Sequence, residues 1–140
     1  MDPNNPVVKL CVEGMQAESE GRRDDARLLF EQAWEASTND FDACMAAHYM
    51  ARHQPDAHAT LHWNQEAVRR ADAITDDRVR EFYPSLYLNL GHSYEELGDA
   101  VKACHYYTVA AARLNDVPTG PYGDLVRGGV TRGQKRTCTS

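Results

Sequence analysis

Long apolar runs are missing from this chain. No stretch approaches the roughly 18 residues needed to cross a bilayer. The N-terminus, MDPNNPVVKLC, has neither a basic n-region nor an apolar h-region. Both absences point to the cytoplasm as the expected compartment and to no membrane partner. Lysine is scarce, three against twelve arginines, and basic residues as a whole are outnumbered by acidic ones, 15 to 21, for a net charge of −6. An acidic balance speaks against general nucleic-acid binding, which favours a basic face. There are four cysteines, Cys11, Cys44, Cys104 and Cys138, and no C-x-x-C pair. Redox and zinc-ribbon motifs are therefore absent. The even count would suit disulfides in a secreted chain, but no export signal supports that here. No G-x-x-x-x-G-K-[ST] and no G-x-G-x-x-G occurs, so nucleotide cradling has no sequence support. In HATLH, Ala59 stands between His58 and His62 where a zinc protease would need its Glu, so that mechanism is absent too.

What is present is a single-domain length of 140 residues, with 42% hydrophobic and 26% charged residues. That is enough to bury a core without disulfides or metal. Alanine and arginine, both good helix formers, are abundant. A repeat organises them. Shifted by 77, residues 10–36 and 87–113 align without gaps: Gly14 with Gly91, Glu18 with Glu95, Gly21 with Gly98, Ala26 with Ala103, Phe30 with Tyr107, and Ala33 with Ala110. A degraded copy lies between them at an offset of 33, with Ala47, Ala59 and Trp63 at the first Gly, first Ala and aromatic positions, and Gln54 replacing the second Gly. About ten extra residues fall near 70–83, before the last copy.

Tyr87, Leu90, Gly91, Tyr94, Gly98, Ala103, Tyr107 and Ala110 resemble the signature of the tetratricopeptide repeat, a helix–turn–helix unit. The stretch FYPSLYLNLGHSYEELGD is also similar to that of small single-domain bacterial repeat proteins. The resemblance implies an all-α fold: three antiparallel helix pairs, about 6–38, 39–73 and 84–116, in a right-handed superhelix. A capping helix at about 121–133 and a frayed basic tail at 134–140 complete it. Close helix approach explains the small residues, the aromatic fills the gap to the next repeat, and the second Gly ends a helix in left-handed conformation. Asn5 is placed as N-cap with Pro6 at the first helical position.

In that family the first helices line a concave groove. By register the groove here would hold Cys11, Met15, Cys44, Met45, His48, Arg52, Tyr87, Leu88, Asn89, His92 and Glu96. The function this implies is a non-enzymatic module holding a partner peptide or protein, with no cofactor. The alternative is a small-molecule- or metal-binding accessory protein, or an unusual enzyme of specialised metabolism. Thiolate, thioether and imidazole suit copper(I) or zinc, with Cys11, Met15, Cys44, His48 and His92 as the candidate ligands. Cys44 and His48, one helical turn apart, are also the one candidate nucleophile pair. Against these stand packing roles for sulfur side chains, a solvated His58/His62 pair, and a solvated groove edge for Glu95 and Glu96. Tyr83 and Tyr87 are expected at the groove mouth, and Trp63, Tyr94 and Tyr107 in repeat packing. The Lys/Asn/Arg clamp that some family members use on C-terminal carboxylates is not matched, save for Asn89. Charge is uneven. The last sixteen residues carry four bases and no acid, leaving eleven bases against 21 acids, or −10, on residues 1–124. A basic partner, or the chain's own tail, would suit that body. An open N-terminal end with Val7, Val8 and Leu10 would offer a route to self-association.

Overall fold

The computed structural model describes residues 4–138. Every regular element among them is helical: α1 Pro6–Ser19, α2 Arg23–Ala36, α3 Asp40–Met50, α4 Ala57–Asp72, α5 Tyr83–Glu96, α6 Ala100–Ala111 and α7 Pro121–Thr137. No helix among the described residues is long and apolar enough to cross a membrane. Short polar side chains open several of the helices. Asn5 accepts from the Val7 amide at 2.8 Å, Asn39 from Asp42 at 2.9 Å, Asp56 from Ala59 at 2.8 Å and Asp99 from Lys102 at 3.0 Å. Each bond satisfies an amide that has no partner inside the helix. With Asp56 as cap, α4 begins at Ala57.

Gly21 and Gly98 end α1 and α5 with φ of 77° and 80°. Around each, the same pair of bonds forms. Arg22 N donates to the Ala17 carbonyl at 2.9 Å and Gly21 N to Glu18 at 3.1 Å; Asp99 N donates to Tyr94 at 2.9 Å and Gly98 N to Glu95 at 3.0 Å. This is the glycine-terminated helix end, which a Cβ would strain. The middle copy has Gln54 instead. There α3 tightens into a 3-10 turn at Ala51–His53, and the Gln54 side chain donates to the Met50 carbonyl at 2.8 Å.

The chain divides into two compact units, residues 1–74 and 75–140. In the first, α1 and α2 form one hairpin and α3 and α4 another, with α2 against α3. Val7, Val8, Cys11, Ala33, Met45 and Ala46 make one part of its core, and Ala17, Ala26, Phe30 and Met50 another. Val7 and Val8, expected at an open end, are thus buried. The buried Asp42 carboxylate accepts from the side chains of Asn5 at 3.1 Å and Asn39 at 3.0 Å, tying the start of α1 to the start of α3.

In the second unit, 3-10 turns at Asp77–Phe82, within the stretch of extra residues before the last copy, run into α5. Helices α5 and α6 pair, and α7 packs on both. Val117, Val126, Val130 and Ala110 form the core beneath α7, with Tyr87 and Leu88 against it. Two expectations are corrected here. Helix α7 does not stop at Gly133 with a frayed tail after it: it continues to Thr137, whose hydroxyl donates to the Gly133 carbonyl at 2.8 Å. A disulfide joins Cys104 of α6 to Cys138 just past the end of α7, so one pair of cysteines is bonded after all. Residues 139 and 140 of the expected tail lie outside the described residues.

Candidate functional site

The two hairpins that align at an offset of 77 are built on the same contact. Phe30 of α2 lies on Gly14 of α1, so that a Cβ at Gly14 would run into the ring. Tyr107 of α6 lies on Gly91 of α5, where a Cβ would come within 2.6 Å of its Cδ1. The far side of each ring is also covered. Phe30 stacks on Tyr49 at 5.0 Å and on His53 at 5.7 Å between centroids. Tyr107 meets Gly133 of α7, where a Cβ would lie 2.5 Å from the ring. The aromatic does fill the gap to the following element, as its position in the repeat implied.

Several of the proposed groove residues of the first unit are in its core. Cys11, Cys44 and Met45 are buried, and His48 is largely enclosed. Burial, then the nearby Asp42, pushes the Cys11 thiol up to about 12; burial, then Asp72, does the same to Cys44. Both are thiols rather than thiolates at neutral pH, whereas metal ligation and nucleophilic attack need the thiolate. Burial, then Arg52, pushes His48 down to about 4, so the ring is neutral. A Cys44 thiolate beside a His48 imidazolium is opposed at both ends. No three His, Cys, Asp or Glu side chains among the described residues gather as a metal site would. Met15 and Arg52 are open to solvent. Arg52 donates to Glu18 at 2.9 Å and lies over the Tyr49 ring at 4.8 Å, and His53 Nε2 meets the other Glu18 oxygen at 2.7 Å.

In the second unit, polar groups converge at the matching place. Tyr107, fully buried, donates to Glu95 Oε1 at 2.6 Å. Arg136 of α7 holds the same carboxylate, with Nε 2.7 Å from Oε2 and a terminal nitrogen 3.1 Å from Oε1. Hydrogen bonds from Arg136 and Tyr107 bring Glu95 down to about 2, so it is an acceptor at any ordinary pH. The Tyr107 hydroxyl has one proton, and Glu95 takes it. His92 Nδ1 lies 2.9 Å from the same hydroxyl and must therefore be the donor. The neutral ring carries its proton on Nδ1, which leaves Nε2 as an acceptor. Burial, then Arg136, lowers the basicity of His92, with Arg132 adding to this and Glu95 and Glu96 opposing it. His92 and Glu96 are solvent-exposed residues of α5, while Tyr87, Leu88 and Asn89 are half-buried.

No family model, curated protein or solved structure matches this chain. Its reading rests on its own residues. In register, Val12, Met15 and Ser19 of α1 match Asn89, His92 and Glu96 of α5 at the offset of 77. Spaced i, i+3 and i+7, each trio lies along one face of its helix. All are exposed except Asn89, which is half-buried. The remaining candidates fall elsewhere. Tyr83 is buried, and with Tyr87, Tyr106 and Tyr94 it forms a column of near-parallel rings, 5.7, 6.1 and 5.4 Å apart. Arg113 lies over the Tyr83 end at 4.4 Å and Lys102 over the Tyr94 end at 5.4 Å. Tyr83 is thus not at a groove mouth. His58 and His62 are exposed, as a solvated pair would be. Glu95 is not a bare solvated edge, because the chain's own basic C-terminal helix engages it. The hydroxyl of Tyr107, Glu95 as its acceptor, and Arg136 were missed as a group. A signal existed: at matched positions the repeat changes Met15 to His92 and Phe30 to Tyr107.

Proposed function

We propose that this chain is a non-enzymatic helical-repeat module of tetratricopeptide type, acting in the bacterial cytoplasm. It would bind a partner peptide or protein through the outer stripe of its first helices. The observation that carries this is the outer stripe of α5, where His92 and Glu96 are exposed and Asn89 half-buried, a stripe that α1 of the other unit repeats by itself at exposed Val12, Met15 and Ser19. The buried residues of these helices, Val7, Val8, Cys11, Gly14 and Ala17 on α1 and Leu86, Leu90, Gly91 and Ser93 among those on α5, pack against neighbouring helices. The α5 stripe, with an amide, an imidazole and a carboxylate, suits a peptide that offers hydrogen-bond donors. The acidic body favours a partner with basic residues, reached faster through long-range steering. The protonated thiols of Cys11 and Cys44 and the low basicity of His48 support a binding role over thiol catalysis.

The test is a selection of displayed peptides against the purified chain, followed by affinity measurements on variants. His92→Asp and Glu96→Lys, both on α5, should each weaken a selected peptide about tenfold or more, the scale of losing one anchor at an interface. Leu28→Asp and Val101→Asp alter exposed apolar residues outside the stripe and should leave affinity unchanged. Loss with Leu28→Asp or Val101→Asp and not with His92→Asp or Glu96→Lys would place binding elsewhere and overturn the reading.

A further inference from the structure

The disulfide lies at the end of the hydrogen-bonded chain that fixes His92. Cys138 follows Arg136 by two residues, and its bond to Cys104 fastens the last turn of α7 to α6. That turn carries Arg136 to Glu95, Glu95 takes the Tyr107 proton, and Tyr107 in turn receives the Nδ1 proton of His92. We propose that the Cys104–Cys138 bond is a reversible redox latch that sets the hydrogen-bonding state of His92.

Three features support this. The bond is reachable: Cys138 is exposed and Cys104 half-buried, with the Thr108 hydroxyl 3.8 and 4.0 Å from their respective sulfurs. The last packed residue of α7 is Gly133, buried against Tyr107, while Lys135 and Arg136 beyond it are exposed. Helix ends beyond the last packed residue fray unless tied. The Arg136–Glu95 pair is itself open to solvent, with side chains 46% and 28% exposed, and such pairs hold weakly on their own. The covalent bond therefore does what the ion pair alone does not.

Reduction needs a dithiol as electron donor. One of its thiolates attacks the exposed Cys138 sulfur, forming a mixed disulfide and releasing Cys104 as a thiolate that takes up a proton. The second thiol of the reductant then displaces Cys138 and closes the reductant's own disulfide. Two electrons and two protons pass to the protein, leaving two cysteine thiols. With the turn released, Arg136 leaves Glu95. The groups facing His92 are then Glu95 and Glu96 of α5, Tyr107 of α6 and, at a distance, Arg132 of α7. Losing the positive charge of Arg136 and unmasking the negative charge of Glu95 both favour a protonated ring. The latched form presents an acceptor nitrogen at Nε2; the released form takes up a proton at higher pH and presents a donor there. The latch goes beyond the binding role proposed above and does not depend on it, since its readout is on the free protein.

The experiment is side-chain 15N NMR of the full chain, oxidised and after dithiothreitol, with the His92 signal assigned by its loss in His92→Gln. The oxidised protein should show Nδ1 protonated and Nε2 bare, and a low titration midpoint. Reduction should raise that midpoint by about one pH unit, the lower end of what a neighbouring charge does. Cys138→Ser should match the reduced form and ignore the reductant. Arg136→Gln should give the same rise with the disulfide intact, so the proposal stands or falls even if the cysteine variant misfolds. An unchanged His92 midpoint after thiol titration confirms reduction would overturn it. So would an Arg136→Gln protein with an unmoved His92, or peptide mapping of the oxidised protein that fails to link Cys104 to Cys138.

Discussion

Hairpins α1–α2 and α5–α6 share a backbone plan and differ in what they do with it. Both end their first helix on a glycine of positive φ, and both seat an aromatic ring on a second glycine. In the first the ring is Phe30, which has no hydroxyl to donate, and Met15 stands at the position of His92. In the second, Tyr107 and His92 occupy the same places, and one hydroxyl joins an imidazole to a carboxylate. The glutamate is common to both, yet its partners come from different elements: Arg52 and His53 after α3 hold Glu18, and Arg136 of α7 holds Glu95. A repeat can therefore conserve its packing geometry while exchanging its chemistry at single positions. The units also differ in their cysteines, two buried thiols in one and a disulfide in the other.

The largest expected effect belongs to the second unit alone. The disulfide closes a loop across a separation of 34 residues, and reducing it should lower stability by about 2–4 kcal/mol. Hydrogen exchange should show the loss in α6 and α7 and spare α1–α4. Equal loss in both units would erase the distinction between them. Next comes the acid response of the first unit. His48 is neutral and buried in the fold at about 4, against an ordinary value near 6.5. The unfolded chain thus binds the extra proton first. Stability is full above pH ~6.5 and falls as pH drops towards ~4, by up to roughly 3 kcal/mol. Urea titrations across that range should show the slope, and His48→Gln should flatten it. The shared contact is tested by Gly14→Ala and Gly91→Ala. Each forces a methyl into a ring that is covered on its other side, and each should cost about 1–3 kcal/mol in urea denaturation. Smallest is the hydroxyl itself. Tyr107→Phe turns the second hairpin into a copy of the first at that position and should cost about 1 kcal/mol.

Much of the helical organisation was legible in the sequence because it depends on local chemistry. Asn5 before Pro6, and the glycines at 21 and 98, act on their own backbone within a few residues. The register that pairs Gly14 with Phe30 could be read because both copies keep it. The start of α7 at Pro121 was legible too, but its C-terminal end was not: Cys138, just past Thr137, is tied to Cys104, 34 residues away, and no local signal shows that. Nor was the burial of Cys11, Cys44 and Met45, placed by register along a groove, legible. Register places a side chain on a face of its helix, but α3 is buried on nearly every face, and only packing decides that. The Glu95–Tyr107–Arg136 group brings together three helices, and charge runs in the sequence pointed to its arginine without naming its partner.

The claim at the centre of this account is that Tyr107 converts a packing contact into a polar one and holds His92 with its proton on Nδ1. The most direct measurement is the tautomer of neutral His92, read from side-chain 15N shifts in the oxidised wild type and in Tyr107→Phe. The account predicts an Nδ1-protonated ring in the wild type and loss of that preference in the variant. An Nε2-protonated ring in the wild type, or the same tautomer with and without the hydroxyl, would contradict it.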